Sequence, residues 1–194
     1  MFLIRHGAHD LLGKVLCGRA PGVTLGAEGL SQASNLALRL KRERIAALFS
    51  SPLERARQTA APVALALGLP VQLDDDLNEL DFGAWSGRRF DELHGDPLWT
   101  QWNSERLSCR PPGGESFQEA QARVVGWLTR IAAAFSGRAV AAFSHADLIK
   151  AALAHALGLP LERHDRFEIS PGAVSIVVAG DWGMKVHSMN EVLP

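Results

Sequence analysis

The sequence predicts an α/β protein, a three-layer α/β/α sandwich built on a mostly parallel central sheet. Short apolar runs of strand length alternate with longer segments whose apolar residues recur at helical spacing. Two of the helix-start signals follow such strands directly, as strand–helix units require. At 194 residues, 47% of them hydrophobic, the chain is long enough to bury a substantial core and reads as a single domain over 1–194.

The elements follow in order. Phe2–Ile4 reads as a buried strand that stops abruptly at Arg5-His6-Gly7. Leu30, Ala33, Leu36, Ala37 and Leu40 predict an amphipathic helix over about 28–42. Ile45–Phe49 is again strand-like. Leu53, Ala56, Ala60, Val63, Ala64 and Leu67 mark a second helix, with Pro62 a kink and Gly68 its end. Ser51-Pro52-Leu53-Glu54 at its start reads as a capping box with Ser51 at the N-cap.

Residues 84–114 are irregular, with three Trp, three Pro and four Gly, and stand where a short lid or insertion belongs. Ser116-Phe117-Gln118-Glu119 is a second capping box, opening a long helix through Phe117, Ala120, Val124, Trp127, Leu128, Ile131 and Phe135. Ala139–Phe143 is a buried strand. Ser144-His145-Ala146-Asp147 is the acidic variant of the box, leading into a helix closed by Gly158 and Pro160. Val174–Ala179 and Met184–His187 read as closing strands, a hairpin around Gly180-Asp181-Trp182-Gly183.

Composition narrows the function. A formal net charge of −1 argues against a nucleic-acid protein. No apolar run approaches the roughly 18 residues that span a membrane, and no secretory leader is read at the N-terminus. Cys17 and Cys109 are far apart and in no metal-ligand spacing, so neither a disulfide scaffold nor a thiolate metal site is expected, and the chain reads as cytoplasmic. His6 and His9 have no third ligand at a suitable spacing, so no metal and no cofactor is expected. Oligomerisation is left open.

Three predicted strand ends carry chemistry. The first offers Arg5 and His6, the second Arg55 with Arg57 nearby, the third His145. Ligands in open α/β folds bind outside strand C-termini, and helix N-termini beside them suit an anion. Asn78-Glu79-Leu80-Asp81-Phe82-Gly83-Ala84-Trp85-Ser86-Gly87 adds carboxylates in a Gly- and Trp-punctuated stretch. Two guanidinium groups can fork onto phosphate oxygens. Flanking cations should keep His6 unprotonated and nucleophilic. A second histidine can steady charge on the phosphoryl group, and a carboxylic acid can protonate the leaving oxygen and later activate water.

On these residues the chain resembles the histidine phosphatase superfamily, also called phosphoglycerate-mutase-like. Leu3-Ile4-Arg5-His6-Gly7 is similar to the signature carrying the phosphorylated histidine. Ser51-Pro52-Leu53-Glu54-Arg55-Ala56-Arg57-Gln58-Thr59-Ala60 is similar to the second segment, which implies phosphate binding by Arg55. The stretch from Asn78 to Gly87 resembles the acid segment and places the proton donor at Glu79. Phe143-Ser144-His145 resembles the last strand and second histidine, and Pro112-Gly113-Gly114-Glu115-Ser116 a motif common among the phosphatase members.

The resemblance implies a phosphoglycerate-mutase-type fold and a metal-independent phosphomonoester hydrolase acting on a small phosphorylated metabolite through a phosphohistidine. Catalysis would fall to His6, Glu79, His145, Arg5 and Arg55. Arg5, Arg55, His145, the amide of Ala146, His9 and Arg19 would bind substrate. Four positions depart from the family pattern: Ala8, His9 and Leu12 stand where relatives have an acidic residue, Ser or Thr, and Asn, and Ala146 stands where Gly is usual after the second histidine. Leu12 removes a phosphate ligand, and His9 is the candidate to fill part of that role.

Two other readings remain. Mutases of this family are longer, with an extended basic insertion and a tyrosine shortly after the catalytic glutamate. This chain has no tyrosine, with Phe82 in that place, a short 84–114 segment and no long C-terminal tail, so hydrolysis is the expected fate of the phosphohistidine. A non-catalytic phospho-ligand binder would have lost His6 or Glu79, and both are present. Asp147 reads as a capping residue, Arg57 as a solvated or ion-paired side chain, and Asp81 as structural. His94, His155, His164 and His187 read as surface or satisfied core residues. Trp85, Trp99 and Trp102 could line a substrate pocket or pack the irregular segment.

Overall fold

A computed structural model describes residues 1–194. In chain order the main elements are β1 (Phe2–Arg5), α1 (Ala27–Leu40), β2 (Ile45–Ser50), α2 (Glu54–Leu67), β3 (Val71–Leu73), α3 (Phe90–Leu93), α4 (Pro97–Ser104), α5 (Phe117–Ala134), β4 (Ala139–Ser144), α6 (Ala146–Ala156), β5 (Val174–Gly180) and β6 (Gly183–Glu191). The strands form one sheet in the order β3-β2-β4-β1-β5-β6. The first four in that order run parallel, and β5 and β6 close the sheet antiparallel. The expected hairpin is the β5–β6 pair, with Gly180 opposite Gly183.

Period-two alternation sends side chains to two separate cores. Phe2, Ile4, Leu48, Ala141 and Phe143 pack with Leu36, Leu40 and Val63 of α1 and α2. Leu3, Ala47, Phe49, Val140 and Ala142 point the other way, into a larger core with Trp127 of α5, Leu148 of α6 and the lid. This is the three-layer sandwich that the alternation of elements predicts.

β1, β4 and β2 are neighbours, with Arg5 registered on Ser144 and Ser50 on Phe143. Their C-terminal ends therefore open side by side on one edge. β3 escapes the sequence reading because it is a three-residue edge strand whose Gln72 and Leu73 are exposed, too short to show a period. No helix is long and apolar enough to cross a membrane.

Two of the three capping boxes require correction. The box at Ser116 forms as expected, with Glu119 bonding back to the Ser116 amide. Ser51, however, does not cap α2: Leu53 holds the N-cap position without a side-chain bond, and Pro52 lies outside the helix. Nor does Ser144 cap α6, where His145 is the N-cap residue; the Ser144 hydroxyl donates to the Leu77 carbonyl at 2.8 Å. Asp147 is no cap either and pairs with Arg106 at 3.3 Å. At both strand ends the polar side chains are engaged by neighbouring segments across the chain, which overrides the local helix signal. α2 continues through Pro62 and ends at Gly68, whose φ of 65° is left-handed.

The 84–114 segment is packed, not open. Trp85, Trp99 and Trp102 are buried, with Trp85 edge-on to Trp99 and Trp102 at centroid distances of 5.3 and 5.9 Å. The Arg106 guanidinium lies over the Trp102 ring at 4.1 Å while bonding Asp147, strapping the lid to the start of α6.

The turn after β1 is wedged against α1. A Cβ built on Gly29 would overlap the Ala8 carbonyl oxygen, so only glycine admits this approach. Gly29→Ala is expected to cost about 1–3 kcal/mol of stability, the usual penalty of overpacking, read as a lowered urea midpoint. An unchanged midpoint would mean that the turn yields freely.

Candidate active site

The end of β1 buries His6 and turns at Gly7. The His6 Nδ1 lies 2.8 Å from the Gly7 carbonyl oxygen. A carbonyl only accepts, so Nδ1 carries the proton and Nε2 keeps its lone pair. Burial pushes His6 well below the ordinary histidine range, and the charges of Arg55 and Arg5 push the same way. The Gly7 amide donates to the Thr59 hydroxyl at 2.9 Å, which donates to the Arg55 carbonyl at 2.7 Å. The Ala8 amide donates to the Gln32 side chain at 2.8 Å. The strand end is thus tied to α2 and α1 together.

Arg55 leaves the first turn of α2 and is 2% exposed. One Nη donates to the Gly18 carbonyl at 2.7 Å, while Nε and the other Nη have no partner in the chain. Arg57 is exposed, which separates the two arginines of the motif. Arg5 donates through Nη1 to the Ile169 carbonyl at 2.5 Å and leaves Nε unpartnered.

His145, fully buried, places its ring 5.2 Å from that of His6, and His9 stacks on His6 at 5.4 Å. The Nδ1 atoms of His145 and His9 are both buried without a partner. Burial, then Arg55 and Arg5, pushes His9 down to about 4 and His145 well below the ordinary range. Ala146 opens α6, so its amide has no intrahelical acceptor. Leu12 is half-buried in the turn that follows and offers no polar atom.

Five of the seven buried side-chain nitrogens and oxygens without a partner belong to Arg5, His9, Arg55 and His145. Native proteins rarely leave such groups unmatched, and here they cluster around one histidine with two cations among them. A tetrahedral oxyanion supplies the complementary charge and acceptors. The largest cavity, about 600 Å³, lies elsewhere, between α5 and the β5–β6 hairpin, and contains none of these residues.

Glu79 joins from the segment after β3. Its Oε1 accepts from the Leu80 amide at 3.0 Å. Burial chiefly, then the charge of Asp147, raises its carboxyl to about 7, against the opposing pull of Arg55, the Leu80 amide and Arg5. Arg19 is directed at this segment: Nε donates to the Glu79 carbonyl at 2.8 Å, Nη1 to Asp81 at 3.3 Å and Nη2 to Glu115 at 2.8 Å. Glu115 also receives Arg123 at 2.6 Å and the Asp81 amide at 3.0 Å. A Cβ on Gly114 would overlap the Asp81 carbonyl, so the Pro112-Gly113-Gly114-Glu115-Ser116 motif is a seat for the acid segment.

Sequence reasoning passed over Ser51, Thr59, Asn78, Glu115 and Arg123 as site residues. The first four lie inside motifs already singled out, and their roles are contacts with distant segments. Arg123 sits on a helical face with no local signal. Of the remaining histidines, His94, His155 and His187 are exposed, and His164 packs edge-on to Phe117 at 4.7 Å.

The three buried histidines make stability acid-sensitive. In the unfolded chain each binds a proton near its usual 6.5, while the fold holds His6, His9 and His145 neutral to lower pH. At these rings the unfolded state then binds more protons, so their contribution to stability falls as pH drops below about 6.5, by about 1.4 kcal/mol per pH unit for each histidine still neutral in the fold, partly offset by Glu79, which the fold protonates near 7. Urea titrations between pH 7 and 5 measure this slope. A stability flat across that range would mean that these rings are charged in the folded protein.

The geometry has counterparts. Residues 1–192 match the model of the histidine phosphatase superfamily, branch 1. A bifunctional protein of Mycobacterium tuberculosis is 41% identical over 160 residues, 81% of this chain, and the match spans 44% of that protein's length. The adenosylcobalamin/alpha-ribazole phosphatase of Escherichia coli K12 is 30% identical over 180 residues, covering 91% of this chain and 88% of that enzyme. The crystal structure of the alpha-ribazole phosphatase of Shigella flexneri superposes with a TM-score of 0.89 at 28% identity, over 99% of this chain and 96% of that one. With the family match over nearly all its length, and with paired arginines and histidines gathered at one sheet edge, the chain belongs to the histidine phosphatase superfamily, branch 1.

Proposed function

We propose that this protein is a metal-independent phosphomonoester hydrolase that acts on a small phosphorylated metabolite through a covalent phosphohistidine. The observation that carries the reading is the cluster of unpartnered buried nitrogens on Arg5, His9, Arg55 and His145 around the free Nε2 of His6. In the first step Nε2 bonds to phosphorus as the ester P–O bond breaks, and Glu79 gives its proton to the leaving oxygen. In the second, the Glu79 carboxylate takes a proton from water, whose oxygen displaces His6 from phosphorus. Arg5, Arg55 and His145 hold the non-bridging oxygens, joined by His9 and the Ala146 amide. Arg19 serves the acid by holding the backbone and neighbours of Glu79, and a direct substrate contact would require it to leave them.

Hydrolysis is favoured over mutase-type transfer because each lid arginine already has a carboxylate. Arg88 lies 3.7 Å from Glu92, Arg89 3.0 Å from Asp91, Arg106 3.3 Å from Asp147 and Arg110 2.6 Å from Glu119. None stands unpaired and preformed for a substrate carboxylate. Phe82 is buried and has no hydroxyl to offer. The relatives named above as phosphatases point to small phosphate esters as the substrate class. Cys17 and Cys109 are both unbridged, in keeping with a reducing cytoplasmic setting.

The test is an assay with chelator present on a panel of phosphate esters that includes 3-phosphoglycerate with its bisphosphate primer. Phosphate release from several esters, without isomerised phosphoglycerate, is expected. Isomerisation with little phosphate release, or dependence of the rate on added metal, would overturn the reading.

A further inference from the structure

Three side chains outside the phosphate cluster form a chain of hydrogen bonds ending on His145. The Asn78 side-chain amide donates through Nδ2 to the Asp75 carboxylate at 3.1 Å. The Ser51 hydroxyl donates to the Asn78 Oδ1 at 2.9 Å. The same Ser51 oxygen lies 2.9 Å from His145 Nε2 and accepts the Leu53 amide at 3.3 Å. Ser51 and His145 are fully buried, Asn78 is half-buried, and Asp75 is exposed.

The directions in this chain are set from its outer end. A carboxylate only accepts, so the amide must turn its NH₂ to Asp75 and its oxygen to Ser51. A hydroxyl has one proton. Ser51 spends it on Asn78 and can meet His145 only as an acceptor. His145 must then carry its proton on Nε2. In a neutral ring that leaves Nδ1 a bare lone pair, and Nδ1 is the buried atom without a partner beside His6. A lone pair repels a phosphate oxygen. The ring can serve an anion only by gaining a second proton, on Nδ1.

We propose that Asp75, Asn78 and Ser51 are positioning residues that fix the tautomer of His145, so that anion binding draws one proton from solvent onto its Nδ1. The inference rests on the reading of the cluster as a phosphate site and deepens it. Without the chain, a neutral His145 would present Nδ1–H directly and bind the anion with no proton uptake. The charged and titratable groups facing His145 are Arg5 and His6 at the end of β1, Arg55 on α2 and Arg123 on α5. Burial first, then the neighbouring charges of Arg55, His6, Arg5 and Arg123, keeps the ring neutral in the free protein, and an anion among the arginines opposes the charge part of that balance.

The experiment is nitrogen NMR of the whole chain labelled with ¹⁵N-histidine, free and saturated with tungstate, a tetrahedral dianion that brings no proton of its own at neutral pH. His145 is assigned from the signals missing in His145→Gln. The free protein is expected to show His145 protonated on Nε2 only, and the tungstate complex to show both nitrogens protonated. In Ser51→Ala the complex should hold a single proton, on Nδ1, and tungstate binding should lose the share of its pH dependence owed to His145, a factor of ten per pH unit. A free protein with the proton on Nδ1, or a tungstate complex of the unaltered chain with His145 neutral, would overturn the proposal. Absence of tungstate binding is a separate result: it would overturn the phosphate-site reading itself and the proposal with it, whereas a bound anion beside a neutral His145 overturns the proposal alone.

Discussion

Replacing His6 with alanine is expected to lower turnover at least about 10⁴-fold, the scale on which removal of a catalytic nucleophile acts, while anion binding survives. The two effects separate because they use different atoms. In the proposed mechanism the attacking lone pair is that of Nε2 of His6, left there by the bond from Nδ1 to Gly7. The unpartnered nitrogens of Arg5 and Arg55 remain in the variant. Tungstate affinity within about tenfold of the original, together with lost hydrolysis, separates the nucleophile from the anion cradle. Free imidazole, which can enter the space left by the ring, is expected to restore part of the rate. Near-normal turnover by His6→Ala would end the phosphohistidine mechanism.

Glu79→Gln is the second large effect, and it depends on the leaving group. General acid catalysis contributes about 10²–10⁴-fold, and most of that is expected to be lost on alkyl phosphate esters. An activated aryl ester, whose leaving oxygen departs as an anion, should lose much less in its first step. Equal losses on both would argue against Glu79 as the acid. The pH profile supplies a second check. Glu79 is raised to about 7, so the protonated form needed for the first step dominates below that and is lost above it. His6, held well below the usual histidine range, stays an active base over the same interval. On alkyl esters kcat/KM is therefore expected to fall as pH rises through about 7. A bound phosphate ester adds negative charge beside the carboxyl and should move the corresponding fall in kcat to higher pH. Glu79→Gln should remove this alkaline fall from kcat, while kcat/KM keeps the pH dependence owed to proton uptake by His145.

The layers of the fold and the main partners in the site were legible in the sequence because each was written locally. Burial on both faces of the sheet appears as unbroken apolar runs such as Ala139–Phe143, and the arginines and histidines sit directly at the ends of those runs. What the sequence could not show is which distant group claims a polar side chain. Ser51 and Ser144 have the spacing of helix caps, yet one is claimed by Asn78 and His145 and the other by Leu77. Asp147 likewise has the spacing of a cap and is drawn instead to Arg106, 41 positions earlier in the lid. Arg19 looks like a ligand in a glycine-flanked loop, and only the folded chain reveals that three carbonyl and carboxylate acceptors already surround it. The edge strand at Val71–Leu73 was hidden for a different reason, since three residues cannot display a period.

The aromatic packing of the lid has an optical consequence. The chain has five tryptophans and no tyrosine, so its near-ultraviolet absorption and emission come almost wholly from indole. Trp85, Trp99 and Trp102 lie in mutual ring contact, close enough for their electronic transitions to couple, whereas Trp127 and Trp182 belong to α5 and the β5–β6 turn. The coupled circular-dichroism signal of this protein thus originates in the one segment that Arg106 fastens to the start of α6. Any loosening of that strap during turnover would be visible in the unlabelled enzyme, against a background in which no tyrosine competes.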